Sequence, residues 1–305
     1  MTSQSPYAAL LARIPVRRFE VEVLGSTTRY WVYGSDDAEV TVVIAHGYRG
    51  EHHGIEPIIA HLPGVRFIGP DLPGFGESTP LTQVPHSVDG YAAWFTAFVD
   101  ALNFPTPPVV LGHSFGTIVT STAIARGLQT PALVLVNPIA ISGLGGPRWL
   151  ATKITVAYYN AAKILPERLG TRLLENRAIV RLMSETMAKT RDRALRRWIH
   201  AEHRTFFSRF ANRDVAVEAF HATVSTDVGA VASRITVPTL LVAARLDDIT
   251  PVAAQYDLQK AIPDATLVVL EGVGHLIHYE VPAAAASAIT DFLDARVRPH
   301  GGPAS

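Results

Sequence analysis

The chain has 305 residues, 48% of them hydrophobic and 18% charged, with 27 Lys and Arg balanced by 27 Asp and Glu. Such a length and composition fit one large globular domain, or one domain with an insertion, and exclude a disordered chain. The balanced charge gives no general attraction for nucleic acid, and the absence of Cys excludes disulfides and thiolate metal sites.

The N-terminal MTSQSPYAALLARIP lacks a basic stretch before its short apolar run, so it does not read as a signal peptide. No apolar run reaches the roughly 18 residues of a membrane span. A cytoplasmic protein is the expectation. Phe19 to Leu24 and Thr28 to Tyr33 alternate apolar and polar around Gly25-Ser26, the pattern of a hairpin with one wet face. Thr41 to Ala45 is continuously apolar, as in a strand buried on both faces of a parallel sheet. Ile55 to Leu62 reads as a short helix and Val65 to Gly69 as a strand. Val88 to Leu102 is apolar at helical spacing, with Asp89 in its first turn.

Val109 to Thr117 reads VVLGHSFGT: an apolar run, then Gly112-His113-Ser114-Phe115-Gly116, then a helix-like segment from Thr117 to Arg126. G-x-S-x-G between a strand and a helix is a nucleophile elbow, in which a tight turn lifts the Ser hydroxyl clear of the sheet. Ala132 to Val136 is a further buried strand. From Ile139 to about Ala230 strand-like runs vanish. Helical segments replace them, namely Trp149 to Leu165, Arg168 to Thr190 and Arg193 to Phe210. Strands resume at Thr239 to Ala243 and Thr266 to Leu270, with helices over Pro251 to Ala261 and Pro282 to Val297. The division expected is a core of residues 1–137 and 231–305 and a helical cap of residues 138–230. Between Pro147 and Glu218 stand 15 Lys and Arg against 7 Asp and Glu, while the remainder has 12 against 20. This bias reads either as a solubilising surface or as attraction for an anionic substrate or membrane surface.

A Ser hydroxyl needs a base to take its proton and an acid to orient that base. Asp247 follows one late strand and His275 follows the next, so the chain order is Ser114, Asp247, His275. All three fall past the carboxyl ends of parallel strands, where open α/β sheets form their sites. Asp248 and Asp71 are alternative acids, and His278 is a rival base. No metal-ligand spacing stands out, and neither a metal nor a cofactor is expected.

HGYRG at 46–50, GPDLPGFGES at 69–78, GHSFG at 112–116, RLDDITP at 245–251 and GVGH at 272–275 recur in an order that resembles the α/β-hydrolase fold with a helical cap. The resemblance covers Phe19 to Val297. It implies a mostly parallel sheet with helices on both faces, Ser114 as nucleophile, His275 as base and Asp247, within D-x-I-x-P, as acid. It also implies an oxyanion hole formed by the backbone N–H groups of Tyr48 and Phe115. His46 and His113 are then structural, Asp71 supports the site, and Asp248 is a loop or helix-cap residue. His52 and His53 read as rim or solvent-exposed groups. Tyr158, Tyr159, Trp198, Phe206 and Phe207 could line an acyl pocket or pack a core.

The activity implied is a serine hydrolase that cleaves a small-molecule carboxylic ester or related acyl bond. Ser114 sets the chain apart from relatives with Asp at the elbow. HGYRG differs from the HGGPG of iminopeptidase-like relatives. Thr117 after Gly116 departs from the S-x-G-G of carbon–carbon bond hydrolases, which stand as the alternative beside cofactor-free perhydrolases. A non-catalytic ligand-binding protein that keeps the fold is the alternative from another class.

Overall fold

The computed structural model describes residues 5–143 and 149–298. Its strands are β1 (Val16–Val23), β2 (Ser26–Tyr33), β3 (Thr41–Ala45), β4 (Arg66–Pro70), β5 (Val109–His113), β6 (Leu133–Val136), β7 (Thr239–Ala244) and β8 (Ala265–Leu270). They form one eight-stranded sheet in the order β1-β2-β4-β3-β5-β6-β7-β8. β1–β2 and β2–β4 pair antiparallel, and every later pair is parallel. The fold is that of the α/β hydrolases. The hairpin turns at Leu24-Gly25, both at positive φ, one residue earlier than the sequence suggested.

The helices are α1 (Ala8–Leu11), α2 (Glu56–Ile59), α3 (Val88–Ala101), α4 (Phe115–Ala125), α5 (Trp149–Ile164), α6 (Glu167–Leu174), α7 (Arg177–Met187), α8 (Arg193–Phe206), α9 (Arg213–Ser225), α10 (Val252–Ala261), α11 (Ile277–Glu280) and α12 (Pro282–Arg296). Continuous apolar runs make the central strands two-sided. Val43 and Ala45 of β3 face Trp94, Phe95 and Ile118 of α3 and α4. Val42 and Ile44 face Ile58, Ile289 and Phe292 of α2 and α12. The helical stretch between β6 and β7 holds α5 to α9. The single helix read over Arg168 to Thr190 is two, because the Asn176 side chain accepts the N–H groups of Ala178 and Ile179 and starts α7 afresh. No helix among the described residues is long and apolar enough to cross a membrane.

Candidate active site

Ser114 occupies the step from β5 to α4 with φ 52 and ψ −118, a conformation that costs a non-glycine residue energy. Its neighbours make that step sterically possible. A Cβ on Gly116 would collide with the Ala45 carbonyl oxygen, and one on Gly112 would sit 2.6 Å from the Gly116 oxygen. The Ser114 N–H donates to Val136 O at 3.0 Å, which ties the turn to the end of β6. Thr117 locks the other side: its hydroxyl donates to Ser114 O at 2.6 Å and accepts the Ile139 N–H at 3.1 Å.

The parallel pairing of β7 with β8 brings the loops that follow them together, with the Leu246 N–H on Val273 O at 2.9 Å. Asp247 and His275 stand on those loops. The Ser114 Oγ–H points to His275 Nε2 at 2.8 Å, and His275 Nδ1–H donates to Asp247 Oδ2 at 2.8 Å. The second bond fixes the imidazole tautomer that leaves Nε2 free to accept. Asp247 Oδ1 accepts from Ile249 and Thr250 N–H, and Oδ2 also accepts from Asn137 Nδ2 at 3.1 Å. Burial by itself would raise the Asp247 carboxyl pKa. The His275 charge and these hydrogen bonds outweigh burial and hold it below the ordinary carboxylate range.

Asp248 is not a helix cap. Pro251 precedes α10 without a side-chain cap, and the Asp248 carboxylate meets Lys189 of the helical insertion. His278 lies buried on α11 and packs edge-on against His113, with ring centroids 4.2 Å apart. Burial pushes His278 well below its ordinary value and His113 down to about 3, so both imidazoles stay neutral behind His275. His46 accepts the Leu72 N–H through Nε2 and donates from Nδ1 to Gly47 O, which orders the loop after β3.

Asp71 is fully buried and accepts from His52 and from the Glu77 N–H. His52 is therefore no rim residue: it is buried between Asp71 and the Trp31 ring. His53 is half-buried, stacked on Phe206 and bonded to Glu51. Glu51, His52 and His53 bring three ligand-type atoms within 4.8 Å of one another. Those groups already have protein partners in Asp71 and Arg209 as well as in each other.

Ser114 and His275 line a cavity of about 420 Å³ between the sheet and the insertion. Tyr48 and Phe115 also line it, and among the described residues neither backbone N–H donates to a protein acceptor. Of the insertion aromatics considered above, Tyr159, Phe206 and Phe207 reach the cavity, as does Phe220 of α9. Tyr158 instead bonds Leu173 O, and Trp198 packs on Tyr7 and Tyr279.

Sequence reasoning assigned no role to Arg49, although it lies within HGYRG. Its guanidinium is buried, donating to Phe207 O, Leu174 O, the Tyr159 hydroxyl and Ser208 Oγ, with the Phe207 ring 4.5 Å away. Leu174 ends α6 and Phe207 follows α8, so two negative helix termini stand where a carboxylate partner would. The Tyr48 hydroxyl likewise donates to Ala216 O of α9.

The family model of the alpha/beta hydrolase fold matches residues 40–282. The chain belongs to that family and is an α/β-hydrolase enzyme. It is 25% identical over 265 residues to the 2-hydroxy-6-oxononadienedioate/2-hydroxy-6-oxononatrienedioate hydrolase of Cupriavidus pinatubonensis, covering 83% of this chain and 86% of the relative. It is 26% identical over 239 residues to the pimeloyl-(acyl-carrier protein) methyl ester esterase of Chromobacterium violaceum, covering 77% and 86%. The crystal structure of the enol-lactonase from Burkholderia xenovorans superposes with a TM-score of 0.74 at 19% identity, covering 90% of this chain and 99% of the other.

Proposed function

We propose that the protein is a serine hydrolase that cleaves a carboxylic ester or related acyl bond of a small molecule through an acyl-enzyme. The observation that carries this reading is the unbroken chain from Ser114 Oγ through His275 to Asp247, with both contacts at 2.8 Å. Ser114 attacks the substrate carbonyl as its proton moves to His275 Nε2. Asp247 stabilises the imidazolium that forms. The N–H groups of Tyr48 and Phe115 receive the tetrahedral oxyanion. His275 then protonates the leaving alcohol and takes a proton from the water that attacks the acyl carbonyl, and it returns that proton to Ser114 Oγ as the Oγ–acyl bond breaks and the acid leaves. Helices α5 to α9 act as a cap that shapes the cavity.

Relatives named for ester and enol-lactone hydrolysis support the bond type. The relative from Cupriavidus is named for hydrolysis of a dicarboxylate. Cavity-lining cations that would receive a second carboxylate are engaged here among the described residues: Arg49 by four acceptors and Lys189 by Asp248. An active-site fluorophosphonate probe tests the proposal. Wild-type protein is expected to be labelled and to turn over short p-nitrophenyl esters, and Ser114→Ala to do neither. Labelling that persists in Ser114→Ala, or wild type that is neither labelled nor active, overturns it.

A further inference from the structure

Helix α5 is apolar on two opposite sides. Its inner side packs on α6 and α9 and buries Tyr159 and Ala162, while Thr152 and Thr155 reach the cavity. On its outer side Leu150, Ile154, Ala157, Ala161 and Ile164 recur at spacings of four, three, four and three. At helical periodicity these form one narrow stripe. All are exposed, Leu150 at 59%, Ile154 at 66% and Ile164 at 85%. The stripe runs the length of a 16-residue helix, roughly 24 Å. Exposed Leu165 and Leu169 extend the apolar surface beyond its end. Packing among the described residues does not call for these side chains, because the core side of α5 is the opposite one.

The surroundings of the stripe are basic. α5 contains Lys153 and Lys163 and no acidic residue, and Lys153 Nζ lies 4.7 Å from the Trp149 ring centroid. Exposed Arg168, Arg172 and Arg177 follow on α6 and α7. Over residues 147–218 the 15 basic residues exceed the 7 acidic ones, in a chain whose total charge is balanced. A second copy docking through this face would set like charges together. An anionic bilayer offers an apolar phase for the stripe and negative phosphates for its flanks.

We propose that α5 lies along the surface of an anionic phospholipid bilayer, with Leu150, Ile154 and Ile164 among the acyl chains and Lys153 with the neighbouring arginines at the phosphates. Trp149, in the first turn, takes the interfacial depth that indole rings favour. The inference concerns only the outer side of α5 and does not rest on the ester-hydrolase reading.

The test is co-sedimentation of the full chain with vesicles of phosphatidylcholine alone and of phosphatidylcholine with an equal part of phosphatidylglycerol. The protein is expected to sediment with the mixed vesicles at low salt, to stay in solution with phosphatidylcholine alone, and to be released at about 1 M salt. Ile164→Glu and Lys153→Glu are each expected to weaken binding roughly tenfold while keeping the wild-type melting temperature. Failure of wild type to sediment with the mixed vesicles overturns the proposal, as does equal binding to both vesicle types or equal binding by wild type and the variants. A concentration-dependent dimer in sedimentation velocity that Ile164→Glu abolishes also overturns it, since the stripe is then a contact between copies.

Discussion

Two adjacent carboxylates stand after β7, and their environments assign them different work. Asp247 is buried and accepts four hydrogen bonds, one of them from His275. Asp248 reaches out to Lys189. Asp247→Asn removes the charge that stabilises the imidazolium and disturbs its tautomer. It is expected to lower kcat by roughly 10³-fold or more, against less than about tenfold for Asp248→Asn. Steady-state kinetics on a p-nitrophenyl ester decide this, and equal losses would sink the assignment.

The buried imidazoles make a second claim at the same scale. His113 is held down to about 3, His203 to about 4, and His278 well below 6.5, in each case by burial first. In the unfolded chain each takes a proton near 6.5, whereas in the fold none does until far lower pH. The unfolded state therefore binds more protons below pH 6.5, and stability falls as pH drops from there toward 4. At pH 5 the loss is on the order of 2 kcal/mol for each of His113 and His203. Melting temperatures at pH 7.5 and pH 5 should differ by several degrees, and by less in His278→Phe. An unchanged difference in that variant would remove His278 from the account.

At the level of elements, Arg49 joins the loop that carries the Tyr48 N–H to the ends of α6 and α8. A lysine has three donors on one nitrogen and cannot fork to these four acceptors, and a methionine leaves the helix carbonyls without a donor. Both substitutions are expected to lower kcat roughly 10- to 100-fold with a smaller change in KM, because the Tyr48 N–H proposed to hold the oxyanion shifts rather than disappears. Arg49→Lys should retain more activity than Arg49→Met. A change confined to KM would mean that Arg49 acts on substrate binding instead.

The sequence carried no signal for this tie, since nothing in HGYRG says which helices its side chain will meet. The central strands were legible because burial on both faces leaves a continuous apolar run that no other element of that length produces. Ser114, Asp247 and His275 were legible for a related reason: each follows such a run, and strand order fixes where strand ends meet. The α6–α7 break was not, because α6 stops at Leu174 and Asn176 caps α7 within a stretch whose apolar spacing continues. Nor was the burial of His52, which depends on Asp71 and Trp31, both far from it in the chain.

Over the whole molecule, the sign of charge separates by position. The helical insertion is basic, yet of its Lys and Arg residues between 147 and 218 only Lys189 lines the cavity among the described residues, and Asp248 faces it. Glu51 and Glu202 line the same cavity, and burial lifts the Glu202 carboxyl to about 7. Among the described residues the basic insertion therefore gives an anionic substrate little to bind inside the site, because its cations other than Lys189 lie outside it. Moving a substrate carboxylate into this cavity would cost desolvation, and among the described residues both cavity-lining cations, Arg49 and Lys189, already have protein partners. Neutral esters with apolar acyl chains are thus expected to show lower KM than monoesters of dicarboxylic acids matched in length, by roughly tenfold or more. Because the contest is decided inside the cavity, raising salt should narrow that difference only slightly. If KM instead favours the anionic substrate, and the preference fades as salt rises, the exterior arginines steer the substrate and the cavity charges do not decide specificity.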